Sequence, residues 1–293
     1  MHFVSSSIYF KARHLAEQEG LPAHLLLPHN KEKEIAERAK YMPISLLFDM
    51  YEMAVERLSP GFSVRQGMQL NTEDYGTLGL SWKTCWRARE VLDRLERYMV
   101  LVTDHGEVKI DETQGITRID LRRDAVRKGI ETSNEVSLVM LTNVIREVTD
   151  KKIFPHEVSF KHQNAKGSHL EAYFNCPVRF GQAQNSLSFR TADIDIPTLK
   201  ADASIHQFLV ERMDEEKKGI HANADKLLAE IHKLVEEALP SGIPSAIQVA
   251  DYLGMSARTL KRRLADKGLT FRDLVQDIQQ KVCLLYTSDA ADE

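Results

Sequence analysis

Cysteine is scarce. The three in 293 residues, Cys85, Cys176 and Cys283, are odd in number and far apart. That excludes a disulfide framework or a CxxC zinc site, and it fits a reducing cytoplasm. Long apolar runs are also missing. Tyr98 to Val102 is typical of what is available, against the roughly 20 residues a bilayer span requires, so no membrane partner is expected. No Lys or Arg precedes an apolar stretch in Met1-His-Phe-Val-Ser-Ser-Ser, which excludes a secretory leader at this end. Glycine (14) and proline (9) are too few for a collagen-like chain and argue against long disordered linkers. There is no glycine-rich phosphate loop, and the serines lack a nucleophile-elbow context. Neither sign of charge dominates. The net charge of −4 does not suggest that the whole chain binds nucleic acid, so any such signal must be local.

What is present is an ordinary globular composition, 43% hydrophobic and 28% charged, on a chain long enough for two domains. Ile44, Leu47, Phe48, Tyr51 and Val55 recur at helical steps behind Pro43, and Ser59-Pro-Gly ends the segment. Trp82, Cys85, Trp86, Val91, Leu92, Leu95, Tyr98 and Met99 predict a second helix from Trp82 to Val102. The period then becomes two. Glu107 to Asp111 and Thr117 to Arg122 alternate around Gln114-Gly115 and predict a hairpin. Glu135 to Thr149 returns to helix, while His156 to Phe160 and Ser186 to Phe189 alternate again. Asp202 caps a helix carrying Ile205, Phe208, Leu209 and Met213, and the charged stretch Asp214 to Gly219 reads as its solvated end. The expected fold class is therefore an α+β N-terminal domain with a small antiparallel sheet, followed by an all-α domain.

Residues 245–275 carry the most specific pattern. Ser245 is a good N-cap for a short helix that buries Ala246, Ala250 and Leu253. Gly254 tolerates the positive φ of a tight turn, and Met255 plugs the angle between helices. Ser256 caps a second helix from Ala257 to about Asp266, held by Leu260 and Leu264 and ended by Lys267-Gly268. Phe271, Leu274, Val275 and Ile278 place a third helix behind the pair. This is a helix-turn-helix. Between Ser256 and Lys267 stand Arg258, Lys261, Arg262, Arg263 and Lys267 against Asp266 alone. A cationic run is by itself only a solvated helix face. Behind this turn it becomes a candidate DNA-reading face. Arg258, Lys261, Arg262 and Arg263 would meet bases or phosphates, Ala257 and Thr259 would add methyl or hydroxyl contacts, and Ser256 with its neighbouring amides would hold a phosphate.

The stretch Val249-Ala-Asp-Tyr-Leu-Gly-Met-Ser-Ala-Arg-Thr-Leu-Lys-Arg-Arg-Leu-Ala-Asp-Lys-Gly-Leu-Thr-Phe resembles the first helix-turn-helix of the AraC/XylS family of bacterial transcription regulators. Asp74-Tyr-Gly-Thr-Leu-Gly-Leu, Leu170-Glu-Ala-Tyr-Phe-Asn-Cys-Pro-Val-Arg-Phe-Gly and Asn185-Ser-Leu-Ser-Phe are similar to the arabinose-binding-like effector domain of one branch. The likeness extends over roughly residues 5 to 282. It implies an N-terminal effector-binding or dimerisation domain (1–213), a linker (214–224) and a DNA-binding domain (225–283). The implied partners are double-stranded promoter DNA, a small-molecule effector (a metabolite or lipid), a second copy of the chain and, for an activator, RNA polymerase. Such regulators carry two helix-turn-helix units. Only the first is present here, which implies truncation within the DNA-binding domain. Leu284 to Glu293 breaks the amphipathic pattern and reads as a non-native tail.

Other constellations are weaker. His156, His162 and His169 are spaced six and seven apart, which suits packing or surface roles better than a metal site. Asp193 and Asp195 lack a nucleophile or metal partner and read as loop. Trp82, Trp86, Tyr98 and Phe174 read as core before pocket lining. No convergent titratable set marks a catalytic pocket, so neither enzymatic activity, cofactor nor metal is expected. The function expected is a cytoplasmic DNA-binding transcription regulator. The alternative is a small-molecule binding module whose shortened DNA-binding half does not function.

Overall fold

The computed structural model describes residues 2–26, 40–123, 126–163, 168–239, 242–265, 269–276 and 278–279. They divide into two compact units, residues 2–217 and residues from 218 onward. The expected helix stop at Lys267-Gly268, the tail 284–293 and Cys283 lie outside the described residues.

The first unit is α+β. Strand β1 (Phe3–Ser5) leads into helix α1 (Ser6–Gln18) and the short α2 (Ala23–Leu26). Strand β2 (Tyr41–Pro43) pairs antiparallel with β1 and runs directly into α3 (Ile44–Arg57), with Pro43 as its N-cap. Helices α4 (Phe62–Gln69), α5 (Gly76–Lys83) and α6 (Arg89–Tyr98) follow. Strands β3 (Glu107–Thr113) and β4 (Ile116–Arg122) form the expected hairpin. Gln114 and Gly115 both take left-handed φ, 54° and 76°, which matches the twist of the strands they join. Helix α7 (Lys128–Thr149) is the longest within this unit alone, and α3 and α4 pack against it. Gly67 and Gly129 permit that approach. A Cβ on Gly67 would lie 2.5 Å from Val139, and one on Gly129 would overlap the Phe48 carbonyl. Strand β5 (Glu157–Ser159), helix α8 (Ser168–Phe174), strands β6 (Val178–Arg179) and β7 (Asn185–Arg190) and the short helix α9 (Thr191–Ile194) complete it. The larger sheet has the order β3-β4-β7-β5-β6, antiparallel except where β5 meets β6.

Four expectations change here. The helix expected from Trp82 to Val102 is broken between α5 and α6. Backbone bonds from Ala88 N–H to Ile196 O and from Thr198 N–H to Trp86 O pull the intervening chain out of helix. Trp82 and Tyr98 stay in the core, as does Phe174, but Trp86 is left 54% exposed. Asp193 lies in a helical turn, and Asp195 just beyond it pairs with Arg87 at 3.3 Å. Asp202 does accept the Ile205 N–H at 2.9 Å, but the helix it starts, α10, runs from Ala203 to Ala238 without a break. Residues 214–224 are thus helical, and the boundary between the units falls inside this helix. The charged run holds its helix through i,i+4 support such as Arg212–Glu216 at 3.2 Å.

The described residues of the second unit form helices and no strand. The later part of α10 is followed by α11 (Ala246–Tyr252), α12 (Ala257–Ala265) and a helical stretch at residues 271–276. No helix of the described residues is long and apolar enough to cross a membrane.

Candidate nucleic-acid interface

The two short helices are set by their ends. Ser245 and Gln248 cap α11 reciprocally. Gln248 N–H donates to Ser245 Oγ at 3.3 Å, and Ser245 N–H donates to Gln248 Oε1 at 2.9 Å. At the other end Leu253 is the C-cap, and Gly254 turns left-handed at φ 66°. Gly254 N–H then bonds Asp251 O at 3.0 Å, and Met255 N–H reaches back to Ala250 O at 2.9 Å. This pair of bonds is a Schellman motif, which satisfies the last carbonyls and reverses the chain sharply. One residue later Ser256 Oγ accepts the Thr259 N–H at 3.1 Å and shares a 2.8 Å hydrogen bond with the Thr259 hydroxyl. A stop and a start two residues apart leave little freedom in the angle between α11 and α12.

Packing fixes the rest. Val249, Ala250, Leu260 and Leu264 are buried in one cluster with Ile231 and Val235 of α10 and with Leu274, Val275 and Ile278. Leu253, Met255, Ala257 and Phe271 pack around it, partly buried. Burying Leu260 and Leu264 contributes roughly 1.5–3 kcal/mol each. Ala246, expected in the core, is only half-buried, while Val249, which sequence reading missed, is the better-buried residue. The predicted face of α11 stands, with Ala250 fully buried and Ala246 and Leu253 packed on the cluster, and Val249 adds to that same face.

With Leu260 and Leu264 inward, helical geometry sends Arg258 and Arg262 to roughly the opposite face, with Lys261 and Arg263 on the flanks. All four are exposed, as is Ser256, whereas Ala257 and Thr259 are half-buried. Among the described residues Arg258, Lys261 and Arg263 form no ion pair. Ile247 (62%) and Tyr252 (78%) of α11 are also exposed. The structure therefore brings the sequence-predicted residues together as one outward cationic face on a short helix clamped from behind. Such a face can engage phosphates through counterion release and can present guanidinium forks to base edges.

The other candidate groups lie in the first unit. His162 is buried with Nε2 2.9 Å from Glu135. Among the described residues no three His, Cys, Asp or Glu side chains are grouped to hold a metal. Sequence reading missed Arg123, a buried guanidinium beside a cavity in this unit. Its signal was available, because the alternation that makes Thr117, Ile119 and Leu121 inward also points the next odd position inward.

An α+β unit followed by a helix-turn-helix unit is an architecture of transcription regulators. Residues 31–198 match the family described as the N-terminal arabinose-binding domain of AraC transcription regulators, and the chain belongs to that family. The HTH-type transcriptional regulator VqsM of Pseudomonas aeruginosa is 24% identical over 246 residues, covering 79% of this chain and 75% of its own length. An uncharacterized HTH-type transcriptional regulator of Mycobacterium bovis is 25% identical over 245 residues, 76% of this chain and 66% of its own. VirS of Mycobacterium tuberculosis is 25% identical over 191 residues, so the chain spans only 55% of that relative. The crystal structure of the transcriptional regulator CdpR from Pseudomonas aeruginosa shares the fold, with a TM-score of 0.52 at 19% identity, covering 95% of this chain and 85% of that one.

Proposed function

We propose that the chain is a sequence-specific DNA-binding transcription regulator in which α12 enters the major groove of promoter DNA. The observation that carries this reading is the outward face of Arg258, Lys261, Arg262 and Arg263 on a helix held from behind by Leu260 and Leu264. Arg258 and Arg262, four residues apart, read base edges. Lys261 and Arg263 take flanking phosphates, and Ser256 with its neighbouring amides seats a further phosphate. Tyr252, exposed on the preceding helix, suits a backbone contact. The first unit senses a small molecule or pairs two copies of the chain, and residues 225–283 form the DNA-binding half. Control requires the effector to favour one state of the protein over another, since binding without preference shifts nothing.

The test is fluorescence anisotropy with labelled promoter fragments across a salt series. Arg258→Ala and Arg262→Ala should each weaken specific binding by about 1–3 kcal/mol and relax base preference at one position. Lys261→Ala should weaken all sequences alike and reduce the salt slope by about 0.9. Unchanged affinity and slope in all three variants refutes the assignment of α12.

A further inference from the structure

The first unit holds a cavity of about 70 Å³ whose wall is largely aliphatic, including Ile44, Leu47, Leu95, Leu121, Val136 and Leu141. Its polar lining residues are few: Arg123, Ser133, Ser137, Thr103, Tyr51 and Tyr75. Arg123 is only 9% exposed. Its Nε donates to the His105 carbonyl at 2.9 Å, and one terminal nitrogen donates to Ser137 Oγ at 3.1 Å and Ser133 Oγ at 3.4 Å. Every one of these acceptors is neutral. Among the described residues no carboxylate pairs with Arg123, although surface arginines such as Arg65 and Arg127 are paired.

We infer that this cavity binds a compact apolar monocarboxylate, with the carboxylate on the Arg123 guanidinium and the hydrocarbon body against the aliphatic wall. The inference rests on the reading of residues 2–217 as the effector unit, and it names the ligand's chemical class. A guanidinium removed from water without an anion is costly, and burial pulls the Arg123 pKa down to about 10. A planar fork with unfilled donors is the partner a carboxylate satisfies best. Tyr51 and Tyr75 lie near enough to feel its charge, and burial raises both phenol pKa values, so they remain neutral hydroxyls able to donate to the same anion. A neutral polyol would leave the guanidinium charge unmatched and set its hydroxyls against leucine and isoleucine. A dianion would bring one charge too many into an apolar chamber. The volume holds on the order of five waters, which sets the scale at a short or branched aliphatic acid.

The experiment is calorimetric titration of the full chain with isovalerate and with its neutral isostere isovaleramide. Isovalerate should bind at least roughly 10-fold more tightly than the amide, the scale of one charged hydrogen bond. Arg123→Gln should erase that preference, and Arg123→Lys should keep part of it. Equal binding of acid and amide, binding of neither, or undiminished acid binding by Arg123→Gln overturns the inference. Should Arg123→Gln fail to fold, the comparison of acid with amide on the unaltered chain still decides. A chain that binds promoter DNA through α12 but ignores the acid loses this inference alone. One that binds the acid but never DNA loses the regulator reading alone.

Discussion

Leu260→Ala isolates the claim that the helix-turn-helix is held by its own small core. Leu260 is fully buried among Val249, Ala250, Leu264, Leu274, Val275 and Ile278, with Ile231 and Val235 beside them. Truncation removes three carbons from a site lined on all sides, so the loss includes both transfer and cavity terms, about 2–5 kcal/mol. At about 3 kcal/mol the opening equilibrium of this unit rises roughly 150-fold. The two units are separately compact, so the loss should stay local. Native-state hydrogen exchange reads both at once. Amides in residues 246–265 should lose protection by about two decades, while those of β3, β4 and β7 change little. DNA affinity should fall with the same variant, although Leu260 faces away from the cationic side. A loss below about 10-fold in residues 246–265, or an equal loss in the sheet, would show that Leu260 does not close a local core.

The turn gives a second prediction. A Cβ at Gly254 meets nothing within 4 Å, so Gly254→Ala carries only the left-handed backbone cost, about 1–2 kcal/mol, and Gly254→Asn should cost less. Urea midpoints of the second unit check this. A loss above about 3 kcal/mol would mean that the residue packs against something. Burial, Arg123 and His2 together lower the His105 pKa to about 4. The unfolded chain therefore takes up a proton near pH 6.5 that the native one refuses, and stability should fall as pH drops from about 6.5 to about 4. His105→Phe should flatten the profile in that window, and an unchanged slope would assign the titration elsewhere. Hydrogen bonds from Arg127 and from the Gly129 N–H lower the Glu52 pKa. Its contribution is present above the ordinary carboxylate range and is lost as pH falls. Glu52→Gln should therefore destabilise at pH 7 but match the unaltered protein in acid, measured by thermal unfolding at both values.

Legibility followed the range of the forces involved. The β3–β4 hairpin and the α11–α12 corner were readable because each is specified within a few residues. Two positive-φ positions set the first, and a Schellman stop followed by a serine cap sets the second. The break between α5 and α6 was not readable. The partners that pull residues 84–88 out of helix are backbone groups near residues 196–198, more than a hundred positions away, and the local stripe from Trp82 to Met99 gives no hint of them. The continuity of α10 through the charged run was missed for the opposite reason. A solvated helix and a linker share a composition, and only side-chain pairing such as Arg212–Glu216 separates them. For the candidate interface, the identity of the outward cations was legible once Leu260 and Leu264 were assigned inward, because one face of a helix determines the other. Val249 was passed over between Ala246 and Ala250, although all three lie on one helix face and pack at the same cluster.

Each candidate site holds cations that pair with no carboxylate among the described residues, Arg258, Lys261 and Arg263 at one and Arg123 at the other, yet the two differ in what that observation is worth. An exposed Arg258 or Lys261 is solvated by water at almost no cost, so its lack of a partner says little. Its meaning comes from the scaffold behind it, the clamped corner and the leucine face that orient the helix. Arg123 stands the other way round. Its surroundings are an unremarked apolar core, and nothing about the wall announces a ligand. A buried guanidinium matched only to neutral oxygens, however, carries a desolvation cost of several kcal/mol that folding alone does not offset. Such a cost persists at sites where something other than stability is served. Arg123→Met therefore separates the two accounts. If Arg123 is a structural strut, the variant should lose stability along with its three hydrogen bonds. If it is a carboxylate anchor, the ligand-free variant should be as stable as the parent or more so, and only the ligand-dependent rise in melting temperature should vanish.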